Sequence, residues 1–211
     1  MRTGFSTIAL LFVSAAAAPA QTPGLTIDKE PPAFMERTFD PANPPADMPP
    51  LSPGEEAECD SKFSSYANVA GEARQTDATH ATVTITQVSV TLRLNITIWL
   101  PAKVSQHVVD HETGHRQISE YFYETADQIA ERIATPYMGK QFVISGADLR
   151  AELSKALREM GGSITYKYTK ELKPEPTQIR FDAITDHARN GVAAKDAVDQ
   201  AVKEAPREPT Q

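Results

Sequence analysis

A chain of 211 residues, 40% hydrophobic and 23% charged, has room for one ordinary domain with extensions or for two very small ones. A formal charge of −7 without any basic stripe excludes nucleic acid as the natural partner, because nothing is present to neutralise a row of phosphates. The single cysteine, Cys59, excludes an internal disulfide and is expected as a small half-buried residue, so the fold must rest on its core and on any metal it holds.

Residues 1–20 read as a secretory signal peptide: Arg2 gives a positive start, "FSTIALLFVSAAA" an apolar core, and "APA" before Gln21 a cleavage site. The apolar run falls short of the ~20 residues that a span needs. No second run of that length follows, and no cysteine follows the cleavage site to take a lipid. The expectation is a soluble, periplasmic or secreted protein with a charge of −8 once Arg2 is removed, and without stable membrane insertion.

Residues 21–57 are crowded with proline and lack apolar periodicity, which predicts an extended arm or linker. Phe34, Met35 and Phe39 give that arm something to bury against the domain. The folded domain is expected over 58–204. "SSYANVAGEARQ" suggests a short strand and a turn. "VSVTLRLNITIWLP" is a strict alternation, with Val88, Val90, Leu92, Leu94, Ile96, Ile98 and Leu100 on one side and polar residues on the other, as in a strand with one buried face. The preceding "TVTIT" alternates in the opposite phase, so a bulge or tight turn belongs near Thr86–Gln87. Pro101 ends the strand.

A long helix follows, capped by Ser105 and ending before Pro136. Its apolar row Ile118, Phe122, Ala126, Ile129 and Ile133, extended backwards, lands on His115 and His111, which turns both histidines toward the core. A second amphipathic helix is expected over 146–160, started at Ser145 and Asp148 and stopped by Gly161–Gly162. Beyond it lie a joint at Pro174–Pro176, a terminal helix over 192–204 and a disordered tail, 205–211.

Three of the five histidines fall within nine residues, at 107, 111 and 115. His111-Glu112-Thr113-Gly114-His115 is HExxH. Residues four apart stack on one helix face, so both imidazoles reach a single zinc ion, and Glu112 at the edge of that face reaches a water at the ion as general base and acid. Gly114, costly inside a helix by roughly 1 kcal/mol, implies that something must pack closely there. His107 lies about 12 Å from His115 along the helix axis, too far to share an ion, and is expected at the surface. A third zinc ligand must come from elsewhere. The metzincin pattern fails at Ile118 and Tyr121, and Glu120 and Glu124 point to other faces of the helix. The segment 181–191, "FDAITDHARNG", is the best source, with His187 as first choice and Asp182 as second.

"YANVAG" (Tyr66 to Gly71), "ITIWLP", "HETGH" and "FDAITDHA" (Phe181 to Ala188) together resemble a family of exported bacterial proteins of unknown function described as predicted zinc-dependent proteases. The resemblance spans roughly residues 60 to 190. Phe181 stands where that family has tyrosine, which would lose a hydroxyl able to steady an oxyanion, and Ala188 stands where it has glycine. The resemblance implies a zincin-like site.

Together these readings predict an α+β, zincin-like domain, with a small, mostly antiparallel sheet packed on the HExxH helix and C-terminal helices closing a cleft. The expected activity is zinc-dependent hydrolysis of peptide (amide) bonds, with His111, His115 and His187 (or Asp182) on the metal and Glu112 as base. Tyr121, Tyr123 and Arg189 are candidates to steady the oxyanion. A peptide or protein substrate could add as a strand along the 88–100 strand. The alternatives are a non-catalytic exported binding or assembly module stabilised by metal, and a cell-wall amidase.

Overall fold

The computed structural model describes residues 24–52 and 54–204, so the signal-peptide and tail expectations lie outside the described residues. The organising element is β4 (His80–Pro101), a single strand of 22 residues. Ala81, Val83 and Ile85 are buried in one phase, and Val88 through Leu100 are buried in the other. The phase change is absorbed by a bulge: Gly71 pairs with Ile85 and Ala70 with Gln87, leaving Thr86 without a partner in the neighbouring strand. The bulge stands where the sequence placed it.

β3 (Glu58–Gln75) runs antiparallel along one edge of β4, from Glu58 opposite Trp99 to Gln75 opposite Ala81. A strand has only two edges, so the other partners of β4 must share the second. They are laid end to end along it: β5 (Gln141–Ser145) against residues 80–84, β1 (Gly24–Lys29) against 87–92 and β2 (Ala33–Phe39) against 95–101. β5 is antiparallel, but β1 and β2 are parallel to β4, so the sheet is mixed and the expectation of a mostly antiparallel sheet is corrected. The arm read as linker is the reason, because it supplies both parallel strands. Pro31 and Pro32 separate them, as suits residues that cannot donate to a ladder and are tolerated only at its margins. Of the arm's apolar residues Phe39 is buried, with Met48 and Trp99, whereas Phe34 and Met35 stay exposed.

Residues paired across a sheet share a face. Cys59, Ser61, Phe63 and Ala67 therefore point the same way as Ile98, Ile96, Leu94 and Val90, toward the helices. α1 (Gln106–Glu124) and α2 (Ala126–Ala134) cover that face, and α3 (Leu149–Glu171) crosses β3. The main core joins Val88, Val90, Leu92, Leu94 and Ile96 to Tyr123, Ala130, Ile164 and Tyr168. At about 1.5–3 kcal/mol per fully buried large apolar side chain, this cluster supplies much of the drive to fold. A second cluster, Ile118, Phe181, Ala197, Val198 and Ala201, docks α4 (Glu175–Thr185) and α5 (Ala194–Glu204) on α1.

Two helix expectations need revision. The HExxH helix breaks at Thr125 rather than running on to Pro136, and Lys29 Nζ donates to the freed Glu124 carbonyl at 2.7 Å, holding the end closed. α3 passes straight through Gly161–Gly162, because a β-carbon on Gly161 would lie 2.5 Å from the Ala67 carbonyl oxygen. That glycine lets the helix approach the sheet and does not end it. Among the described residues no helix is long and apolar enough to cross a membrane.

Candidate metal centre

Ser105 caps α1 by accepting from the Val108 amide, which fixes the helix register, and about 3.6 residues per turn then place His111 and His115 on one face with Glu112 at its edge. The opposing wall is α4, which follows the joint at Pro174. Gln178, Asp182 and Thr185 are spaced four and three apart, so they share one face of α4. That face meets the two imidazoles.

Gln178 Nε2 donates to the His115 carbonyl and to Ser119 Oγ, both at 3.0 Å, so its Oε1 accepts from His115 Nδ1 at 2.6 Å. The Thr185 hydroxyl donates to the Phe181 carbonyl at 2.9 Å and accepts from His111 Nδ1 at 3.2 Å. With each Nδ1 holding the ring proton, both Nε2 atoms carry lone pairs. They lie 3.2 Å apart. Asp182 Oδ1 completes the triangle at 2.9 Å from His115 and 3.4 Å from His111. Three acceptors in mutual contact need a cation between them. Ligands about 2.0–2.1 Å from a tetrahedral zinc would stand about 3.3 Å from each other, close to these separations. His111, His115 and Asp182 therefore form a cluster that could hold a metal ion. Asp182 Oδ1 is buried and, although close to the imidazoles, is not aligned for a hydrogen bond with either. Such an orphaned oxygen fits an ion better than it fits a protein donor.

Asp182, the second choice from sequence, is thus the donor brought to the imidazoles. His187, the first choice, stands one step back, with Nδ1 3.8 Å from Asp182 Oδ1 and 3.2 Å from Glu55 Oε1. The difference arises because α4 runs on to Thr185, so Asp182 projects from a rigid helix while His187 sits in the turn beyond. Asp186, His187 and Ala188 all have left-handed backbones, with φ of 49°, 52° and 61°. For residues bearing a β-carbon each costs about 1–2 kcal/mol, and the turn is tied down from both sides. Asn190 Nδ2 donates to the Ile184 carbonyl at 2.8 Å, and His107 Nε2 donates to the Asn190 carbonyl at 2.7 Å. His107, expected at the surface, is therefore a half-buried tie.

Phe181 packs into the notch left by Gly114 and touches both imidazoles, stacked on His111 and edge-on to His115 at centroid distances of 4.9 Å. It is fully buried in the cluster beneath α4 and is absent from the cavity wall, so position 181 serves packing here. Tyr123 is spent in the core, donating toward the Glu30 and Leu92 carbonyls at 2.8 Å, and Tyr121 is exposed. Arg189 alone of the three oxyanion candidates lines a cavity with Glu112, a small one of about 100 Å³.

The main cavity, about 510 Å³, opens beside the donors. Glu112 lines it, is 5% exposed and has no hydrogen-bond or ion-pair partner among the described residues. Burial pushes its carboxyl up to about 8 against the pull of His115, helped by Glu58, Glu55 and Asp182. Burial alone would lower His115, but the Asp182 carboxylate holds it up at about 9. His111 is lowered by burial and by its charged neighbour His115. Asp182, despite burial, is driven far below the ordinary carboxylate range by the two imidazoles. Without an ion, one proton on His115 would occupy the centre in its place.

Sequence reasoning did not reach Gln178, Glu55 or Glu58, and it held Thr185 only as part of the "FDAITDHA" motif, without a role. The spacing 178, 182, 185 was the available signal for Gln178 and for the part Thr185 plays. The glutamates come from a stretch whose proline content hid any pattern. Compared with known proteins, the chain matches no family model, no curated protein and no solved structure.

Both edges of β4 are occupied, which corrects the expectation of strand addition there. Among the described residues the outer edge of β3 pairs with no strand, and its residues 58–61 and 63 line the cavity.

Proposed function

We propose that the protein is an exported zinc-dependent peptidase, zincin-like in its site, that hydrolyses peptide or other amide bonds. The convergence of His111 Nε2, His115 Nε2 and Asp182 Oδ1, all within 3.4 Å of one another, beside a cavity that the unpartnered Glu112 also lines, carries this reading. The resemblance of "HETGH" and "FDAITDHA" to predicted zinc-dependent proteases supports it. Zinc held by His111, His115 and Asp182 would supply Lewis acidity, the chemistry that lets a water act as nucleophile near neutral pH.

The chain's own residues do the rest. Gln178 and Thr185 fix the ring orientations, so the donors are set before substrate arrives. Glu112, with a carboxyl raised to about 8, is matched to taking a proton from water near neutral pH and passing it to the departing amine. The free edge of β3 offers backbone groups to a substrate in extended form. Two imidazoles and a carboxylate also suit ferrous iron. The base adjoining the first histidine of HExxH favours zinc hydrolysis.

The test is metal analysis of the purified protein together with hydrolysis of a mixed peptide pool. The unaltered protein should carry one zinc and cleave. Glu112→Gln should keep the zinc and lose at least about a hundredfold in rate, and Asp182→Asn should lose both. Iron in place of zinc, or full activity in Glu112→Gln, would overturn the reading.

A further inference from the structure

Building on the hydrolase reading, we propose that the cavity selects a substrate with a cationic side chain, the ammonium of lysine or the guanidinium of arginine, beside the amide to be cleaved, and that Glu58 holds it. Six carboxylates line the cavity, from Glu55, Glu58, Asp60, Glu112, Glu175 and Asp182, and no lysine or arginine is among the lining residues. Three of these carboxylates have close neighbours: Lys62 meets Asp60 at 2.6 Å, His187 Nδ1 lies 3.2 Å from Glu55 Oε1, and Asp182 faces the two imidazoles. A divalent ion would neutralise still more, yet the wall stays negative.

Glu58, Glu112 and Glu175 remain, and Glu175 is exposed to solvent. Neither Glu58 nor Glu112 has a hydrogen-bond or ion-pair partner among the described residues, and Glu112 is 5% exposed while Glu58 is half-buried. Sheltered carboxylates facing one volume without a counter-charge are unfavourable until a cation arrives. The reaction employs Glu112, and Glu58 has no part in it. Burial and the neighbouring Glu55 push Glu58 up to about 6, consistent with a charge awaiting a partner. Ala57, Phe63 and Pro174 line the same space and suit the aliphatic stem of lysine or arginine, which packs on apolar surface while its head seeks charge. An acidic side chain would meet repulsion there, and a neutral one would leave Glu58 unanswered.

The experiment measures binding and cleavage separately. Alanine-based heptapeptides with a central lysine, arginine, norleucine or glutamate, labelled with fluorescein, are titrated at physiological salt into zinc-loaded Glu112→Gln protein. The cationic pair should bind about tenfold tighter than the norleucine peptide, the scale of one charge-assisted hydrogen bond. The glutamate peptide should bind most weakly. Adding Glu58→Gln should remove most of the preference, while Glu131→Gln on exposed α2 should leave it intact, which separates a local contact from the overall negative charge. Equal binding of lysine and norleucine peptides, or a preference surviving Glu58→Gln, overturns the proposal. Selective binding without cleavage by the unaltered zinc-loaded protein would instead sink the hydrolase reading and leave cation recognition by Glu58 standing.

Discussion

The ring of Phe181 occupies the space that a side chain at Gly114 would need: a β-carbon there would lie 2.4 Å from Phe181 Cζ. The glycine inside HExxH is thus explained by the neighbour of Asp182, and helix α4 is seated on the motif itself. Gly114→Ala would gain roughly 1 kcal/mol of helix propensity. It would lose about 1–3 kcal/mol through overpacking a buried ring, and it would push Asp182 away from the imidazoles. We expect a lower thermal midpoint together with weakened zinc binding, read by calorimetry and by chelator competition.

The donor set predicts a ranking. Asp182→Asn removes the oxygen 2.9 Å from His115 and should abolish stoichiometric zinc. Gln178→Ala and His187→Ala leave the three donors in place and should weaken zinc by about 10–100-fold, the usual cost of losing a supporting group. If His187→Ala instead matches Asp182→Asn, the site is closed by four ligands and the structural alternative gains.

Acidity should act on the chelated protein and the loaded protein in opposite directions. His115 rises from 6.5 to about 9, so its contribution to stability is complete below about 6.5 and is lost as pH climbs through 9. Glu112, raised from 4.5 to about 8, contributes with the same sign, its share complete below about 4.5 and lost as pH rises through 8. Asp182 is depressed from 3.8, so its contribution is present above that value and disappears on further acidification. Chelated protein should therefore become less stable to urea between pH 6 and 9, in the range these shifts span. Zinc affinity should rise over the same range, because the metal needs the ligands deprotonated. Parallel slopes for the two forms would contradict the assigned protonation.

Adjacent glycines in α3 should respond oppositely. A β-carbon at Gly161 meets the Ala67 carbonyl oxygen at 2.5 Å, whereas one at Gly162 meets nothing within 4 Å. Gly161→Ala should destabilise by about 1–3 kcal/mol. Gly162→Ala should stabilise by about 0.5–1 kcal/mol. Urea midpoints of the two variants make the comparison.

These contrasts show which features a linear reading could reach. The β4 alternation, its phase change at Thr86 and the stacking of His111 over His115 follow from short-range periodicity and were legible. So were the Ser105 cap and the joint before α4. Gly161 looked like a stop because its reason is the Ala67 carbonyl, far away in the chain. β1 and β2 looked like linker because edge strands tolerate the prolines that central strands reject. Asp182 ranked below His187 because the length of α4, which decides the matter, is fixed by its packing on α1 and α5 rather than by local propensity.

The histidines belong to a helix carried by the sheet, while Asp182 belongs to the helix pair α4 and α5, whose apolar cluster is separate from the main one. An ion at their junction would act as a clasp that adds to the apolar contact of Ile118 and Phe181 between the two layers. Loading it would raise the cost of local opening at the C-terminal helices by RT ln(1 + [L]/Kd). Amide exchange in α4 and α5 should therefore slow with added zinc, while exchange in β4 stays nearly constant. In this architecture a bound metal would govern how long the last two helices stay seated as well as what the site can do.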